Sequence, residues 1–319
     1  MKKETVSRLN YWDNVKGLLI VLVVLGHLLE RLPMGNTLAG YKLIYLFHMP
    51  LFVFCSGYLA SSSTDKIVKK ILVPYVICQL LYCVFSMQVI QATTPIWILW
   101  YLLALCFWRL TTPFLDKVGA WWRIPLIFVL IIVSCLFGFD DSVGYFDSFS
   151  RIIVFYPYFV TGFFAKKYDR EKSEKDFLRK FRRRSVRITS AIVLAVFLVV
   201  FLLVSPEINS AWLYGSFSYN NGEYNIFFRI FHYVMAFAVG IPVLVLVPRR
   251  KTIFTSWGKN SLIIYLSHIA AVGIAELVFK NIPIPVFLGY ALCIIASVLF
   301  CIFMVYIIDL FSKNKKTPE

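Results

Sequence analysis

The sequence predicts an all-α fold: a polytopic membrane protein of about ten transmembrane helices with both termini cytoplasmic. Three observations carry this. The chain is 60% hydrophobic and only 16% charged, where a soluble domain averages about 45–50% and about 25%. Apolar runs long enough to cross a bilayer recur from end to end. The basic residues gather in alternate connections between those runs, as the positive-inside rule requires.

Taken in order, the spans fall at about 15–32, 41–60, 71–90, 95–111, 122–139, 149–165, 187–205, 226–247, 260–279 and 284–310. Between them, only Arg31, Lys42, Arg151, Arg229 and Lys280 lie on the outer side, leaving 28 of the 33 lysines and arginines inside. An even number of spans follows. The net charge of +16 is therefore topology rather than nucleic-acid recognition. No polar stretch is long enough for a separate globular domain, so residues 1–319 are expected to form one membrane-embedded domain with no appended soluble domain. The basic start before an apolar run lacks a small-x-small cleavage site and is read as an uncleaved first helix.

Seven cysteines all fall within spans, without metal-ligand spacing, and read as small apolar fillers. The longest inner segment, Lys166 to Arg184, sets Phe177, Leu178 and Phe181 among cations and suits a helix lying on the inner leaflet, or a steering patch for an anionic substrate. Asp140, Asp141 and Asp147 make one outer connection acidic. The longest outer loop, from Ser205 to Asn225, mixes aromatics with carboxylates and amides. That mixture suits a sugar, and equally an interfacial aromatic belt. No phosphate-binding loop, HExxH or GxSxG occurs, so ATP-coupled work within this chain is not expected.

The chemistry is expected on the first span. Lys16 and His27 are eleven residues apart, about three full turns, so they share a helix face about 16 Å apart along the axis. Ionisable residues inside a span are costly and point to function. Histidine titrates near neutrality and can abstract a hydroxyl proton, whereas a lysine at a helix end can simply snorkel. Asp13, three residues before Lys16, can pair with it or cap the helix. His48 and His232 enter their spans from outside to a depth like that of His27, and His268 lies nearer the midplane; together they suggest a polar chamber. Arg151 and Arg229 break the charge bias at the outer starts of spans six and eight, with Glu276 a candidate partner for either. Asn260 and Ser261 read as a cap for span nine.

Five segments in order resemble one family. The Lys16-x10-His27 helix, Phe47-His48-Met49-Pro50 through Leu59, Pro95-Ile96-Trp97 through Leu105, Tyr156-Pro157-Tyr158 through Phe164, and Trp257-Gly258-Lys259-Asn260-Ser261 through His268 are similar to motifs of the acyltransferase 3 family. Asp13-Asn14-Val15-Lys16-Gly17 resembles the start of its fucose 4-O-acetylase-like branch. The resemblance implies O-acetylation of a cell-envelope carbohydrate with cytoplasmic acetyl-coenzyme A as donor and no metal. It implies His27 as catalytic base or transient acyl carrier and Lys16 as its basic partner on the donor side. On that reading Lys16, Lys66, Lys69 and Lys70 attract the donor's phosphates, and His48, Arg151, Arg229, His232, His268 and Glu276 line the acceptor side. The expected setting is a bacterial cytoplasmic membrane among membrane lipids, with a homo-oligomer left open. The rival class is a transporter or flippase for an envelope precursor, its histidines relaying protons; the absence of an evident internal repeat and the asymmetric Lys16–His27 arrangement weigh against it.

Overall fold

A computed structural model describes residues 2–61, 63–86, 94–143, 148–171, 181 and 183–314. Among these residues the regular structure is helical, without strands. The main helices are α1 (Lys2–Arg31), α2 (Ala39–Tyr58), α3 (Val73–Ser86), α4 (Trp100–Leu110), α5 (Ala120–Leu136) and α6 (Phe149–Glu171). They continue with α7 (Arg184–Val204), α8 (Ile226–Leu246), α9 (Ile253–Lys259), α10 (Ser261–Asn281) and α11 (Val286–Asn314). A backbone in lipid must satisfy its own polar groups, and helices do so within one segment.

Among the described residues, eight helical segments are long and apolar enough to cross a membrane: Asn10–Arg31, Ala39–Tyr58, Trp97–Lys117, Ala120–Phe139, Arg184–Glu207, Ile226–Leu246, Ser261–Asn281 and Val286–Ser312. The other two expected spans fall on α3 and α6. Only part of 71–90 is described, and α3 there follows a π-helical turn, Val68–Leu72. In α6 the uncharged stretch 152–165 is confined between Arg151 and Lys166. A stretch so short is more typical of a buried helix than of a simple span. Accordingly, α6 buries Val154, Phe155, Tyr158, Phe159, Val160 and Phe163.

The chain forms two compact units, one of residues 1–49, 184–210 and 239–319, the other of residues 50–183 and 211–238. The first division falls inside α2 at Pro50, a residue that interrupts helical hydrogen bonding. In the first unit α1 packs against α9, α10 and α11. Lipid tails are as apolar as leucine, so helix association there depends on close approach and polar contacts more than on a hydrophobic drive. Both are present. A Cβ on Gly17 would strike the Phe254 backbone, and one on Gly258 the Asp13 backbone, so these glycines let α1 and α9 touch main chain to main chain.

Asn14, fully buried, fastens the same crossing. Its Nδ2 donates to the Pro248 and Arg250 carbonyls at 2.7 and 2.8 Å. Its Oδ1 accepts from the Thr252 and Thr255 hydroxyls at 2.8 and 2.6 Å. Thr255 Oγ1 in turn accepts from the Thr252 N–H, closing the start of α9.

The second unit repeats the device. Gly57 of α2 meets the Phe159 backbone and Gly162 of α6 meets Phe54 and Tyr58. The Tyr58 hydroxyl donates to Asp169 at 2.5 Å. The Trp108 indole donates to the Ile152 carbonyl at 2.9 Å. Tyr233 places its hydroxyl 2.6 Å from both the Val154 carbonyl and the Ser134 hydroxyl, donating to the first and accepting from the second.

Candidate active site

The first unit brings three of the four histidines into one cluster. The rings of His27 on α1 and His268 on α10 stack with centroids 5.2 Å apart at 27°. Tyr45 on α2 stands edge-on to His27 at 6.3 Å and to His48 at 5.0 Å. Tyr41, one turn earlier, stacks on Tyr45 at 4.3 Å and holds it in place. His48 and His268 are fully enclosed, while His27 keeps a partly open face.

Hydrogen bonds set which nitrogen of each ring carries the proton. His48 Nδ1 lies 2.6 Å from the Ile44 carbonyl and His268 Nδ1 2.5 Å from the Tyr265 carbonyl. A carbonyl only accepts, so Nδ1–H donates in both rings. His27 Nδ1 lies 3.1 Å from Glu30 Oε2. An ionised carboxylate also only accepts, so the proton that this contact uses sits on Nδ1, and a neutral His27 ring would carry its lone pair on Nε2. The Tyr45 hydroxyl lies 3.4 Å from the same Nδ1. The pair is thus a carboxylate and a histidine on one helix, three residues apart, the spacing that makes helix neighbours.

Lys16 occupies the other end of the face. Its Nζ pairs with Asp13 Oδ1 at 2.9 Å, as the three-residue spacing predicts. Between Lys16 and His27 the stripe is apolar: Ile20 and Val23 are 0% and 2% exposed. The face is therefore polar at both ends and sealed in the middle.

Beside the histidine cluster, Arg31 Nη1 pairs with Glu276 Oε2 at 3.4 Å. This corrects the expected partner of Glu276, which was Arg151 or Arg229. The reason is packing: α10 lies along α1, and Arg31 ends α1. Asn260 also departs from expectation, since its amide donates back to the Ser256 carbonyl at 2.9 Å and supplies no side-chain cap to α10.

Arg151, Arg229 and His232 belong to the second unit. There Arg229 is buried and donates to the Ser134 carbonyl at 3.0 Å, the Phe217 carbonyl at 2.9 Å and the Tyr224 hydroxyl. Its guanidinium also lies over the Tyr219 and Tyr224 rings. It clasps the outer loop to α5 with donors otherwise suited to a ligand. Arg151 lies over the Trp100 ring at 5.1 Å and reaches Ser216 Oγ at 3.3 Å. The loop aromatics pack largely on one another: Trp212 stacks on Tyr224, meets Phe228 edge-on and donates to the Gly222 carbonyl at 2.7 Å. Asp141 accepts from Ser218 Oγ at 2.5 Å and Asn220 Nδ2 at 2.9 Å, and these bonds hold its carboxyl below the usual range. Asp147 lies outside the described residues.

Of the lysines expected to meet the donor, Lys69 and Lys70 are exposed on the π-helical turn. The Lys66 side chain lies outside the described residues, as do residues 172–180 and 182 of the expected surface helix. All seven cysteines are free thiols. Sequence reasoning missed Glu30, Tyr45 and Asn14. The i,i+3 relation of Glu30 to His27, and of Tyr45 to His48, was the available signal.

The acyltransferase domain family matches residues 9–306, nearly the whole chain. The nodulation protein NolL of Sinorhizobium fredii (strain NBRC 101917 / NGR234) is 58% identical over 57 residues, 16% of each chain. NolL of Mesorhizobium japonicum (strain LMG 29417 / CECT 9101 / MAFF 303099) is 49% identical over 57 residues, 16% of this chain and 15% of that relative. The matched segment thus spans about one-sixth of the curated relatives' length. No solved structure matches the chain significantly.

Proposed function

This chain belongs to the acyltransferase 3 family and is a multi-pass membrane acyltransferase; from that premise we propose that it moves an acetyl group from acetyl-coenzyme A to a hydroxyl of a cell-envelope carbohydrate, with His27 as the base. The observation that carries this reading is the His27–Glu30 pair, which turns His27 Nε2 away from Glu30 as the candidate proton acceptor near the end of α1, three turns along the same helix from Lys16. Lys16 attracts the donor's phosphates from the cytoplasm.

His27 Nε2 takes the proton from the acceptor hydroxyl as that oxygen attacks the thioester carbonyl. The carbon–sulfur bond breaks, and the departing thiolate recovers the proton from the imidazolium. Glu30, facing Nδ1–H, steadies the positive ring in between. His268, stacked on His27, and Tyr45 fix the plane of the ring, and His48 braces Tyr45. Arg31 and Glu276 lie on the acceptor side, where a charged pair can hydrogen-bond sugar hydroxyls. Residues 1–319 act as one catalytic domain, in a bacterial cytoplasmic membrane, as the rhizobial source of the relatives supports.

The test is acetyl transfer by the purified chain in proteoliposomes, supplied with acetyl-coenzyme A inside and envelope glycans outside, and read by mass spectrometry of the glycans. His27→Ala should abolish transfer while the protein remains folded and membrane-inserted. Near-normal transfer by that variant would sink the assignment of His27.

A further inference from the structure

The second unit holds a cavity of about 550 Å³ that the histidine chemistry does not use. Its walls come from the residues just after α2, from the short helix Thr112–Lys117 that follows α4, and from the last turns of α6. On the charge map all three ends face the cytoplasm. The volume lies within the range of small-molecule sites, about 300–1,000 Å³.

The lining is graded. Ala60, Thr112 and Phe163 are buried at the base, giving an apolar floor with one aromatic ring. Lys117 and Arg170 are exposed at the rim, with Lys166 half-buried between. Some of the positive charge has structural work to do. Lys166 Nζ donates to the Ala60 carbonyl at 2.6 Å, and Lys167, just outside the lining, donates to the Asp116 and Val118 carbonyls at 2.5 and 2.9 Å. Cations at helix C-termini are also favoured by the helix dipole. The carbonyl contacts account for Lys166 and Lys167, and the dipole favours Lys117 and Arg170, each in the last turn of its helix. Neither explains why Lys117 and Arg170 line one void of this size.

Asp116 is the lone carboxylate of the lining, and Arg170 Nη2 donates to it at 2.9 Å. Against Lys117, Lys166 and Arg170 it leaves a formal excess of two positive charges, which matches one phosphate dianion. An arginine can keep one carboxylate contact and offer a second edge to a phosphate.

We infer that this cavity is a phosphate-binding subsite for a nucleotide, taking a phosphorylated ribose between Lys117 and Arg170 with the purine over the Phe163 floor. The inference rests on the reading that the acyl donor is a coenzyme A thioester, whose ribose carries such a phosphate. An anionic lipid headgroup offers the same phosphate chemistry from the membrane side.

The experiment is calorimetric binding of adenosine 3′,5′-bisphosphate to the full chain in nanodiscs of zwitterionic lipid. Binding is expected, weakening with added salt, and adenosine should not bind. Lys117→Ala and Arg170→Ala should each weaken it about tenfold, the size of one charge-assisted contact. Asp116→Asn supplies the opposite sign: a cavity built for phosphate should bind more tightly once the competing carboxylate is gone, whereas a merely structural Asp116–Arg170 pair predicts no gain. Absent binding, or binding indifferent to Lys117 and Arg170, overturns the inference. So does binding that appears only as a preference for anionic over zwitterionic lipid, which would assign the cavity to a headgroup. The two readings also fail separately. Acetyl transfer with unchanged KM for the donor in the Lys117 and Arg170 variants removes the cavity and leaves His27. Bisphosphate binding that these variants weaken, in a chain showing no acetyl transfer, keeps the cavity and removes the His27 chemistry.

Discussion

Replacing Glu30 by alanine isolates the contribution of the carboxylate facing His27. The structure gives a hydrogen bond of 3.1 Å between His27 Nδ1 and Glu30 Oε2, with the Glu30 side chain 33% exposed. A hydrogen bond to a charged group is worth about 1.5–3 kcal/mol, and partial exposure places this one in the lower half of that range, about 1.5–2 kcal/mol. On the proposed mechanism the contact becomes ion-to-ion once Nε2 has taken the hydroxyl proton. It is therefore stronger in the transition state, and its loss appears in kcat more than in KM. At about 1.36 kcal/mol per tenfold in rate, Glu30→Ala should slow transfer about 10–30-fold.

A double-mutant cycle shows whether the effect runs through His27. Residues that act as a unit are strongly non-additive. With His27→Ala already in place, removing Glu30 should cost nothing further in the residual rate, measured as acetyl-coenzyme A-dependent labelling of glycans in proteoliposomes. Glu30→Gln should lie between, because its amide oxygen can still accept from Nδ1–H while its amide nitrogen can favour the opposite tautomer. Two results would refute the reasoning: a Glu30→Ala enzyme within twofold of the native rate, or a further tenfold loss on the His27→Ala background.

Three more outcomes follow from the packing. Gly258→Ala should lower the yield of folded protein in detergent, because its Cβ would collide with the Asp13 backbone, whereas Gly273→Ala, with no neighbour within 4 Å, should be neutral or mildly stabilising by helix propensity. Asn14→Ala should lower the midpoint of thermal unfolding by several degrees, since it strands two carbonyls and two hydroxyls at a buried crossing, each worth about 1–3 kcal/mol if left unsatisfied; a native-like midpoint would show that other groups take over these bonds. Glu171 accepts two bonds from Arg123, at 2.8 and 2.5 Å, and these hold its carboxyl below the ordinary 4.5. A depressed carboxyl stabilises the fold above its unfolded value and loses that contribution as pH falls through the folded one. Thermal stability followed downward from about pH 5 should therefore fall more steeply for native protein than for Glu171→Gln, and identical profiles would count against the linkage.

The helical membrane fold was legible because spanning length, apolarity and charge placement each leave a one-dimensional trace. Lys16 with Asp13 was legible for a similar reason, since both sit on one helix at a contact spacing. The partners of the remaining charges were not. Glu276 meets Arg31 because of how α10 lies along α1, and spacing within a single helix holds no record of which helices are neighbours. The same limit left the gathering of His27, His48 and His268 undecided. Arg229 was misleading in a different way. An arginine outside the positive-inside pattern suggests a ligand, yet its donors end on the Ser134 and Phe217 carbonyls, which no side-chain pattern reveals. Tyr45 drew no reading, and Asn14 entered only as a motif member, because their contacts with His27 and with the start of α9 depend on how the helices pack.

The sealed middle of α1 bears on how such an enzyme works across a membrane. A continuous polar face from Lys16 to His27 would conduct water between two compartments and expose a bound thioester to hydrolysis. Instead, Ile20 and Val23 close the stripe. An acyl chain carried on a long, thin, largely uncharged arm can pass packed aliphatic side chains at the cost of small rotamer shifts, whereas a hydrated ion cannot do so cheaply. On the proposed reading the two polar ends serve different molecules: Lys16 meets the charged part of the donor, which stays on its side, and His27 meets only the reacting carbonyl and the acceptor hydroxyl. The apolar length between them is then as much a part of the site as the residues that end it.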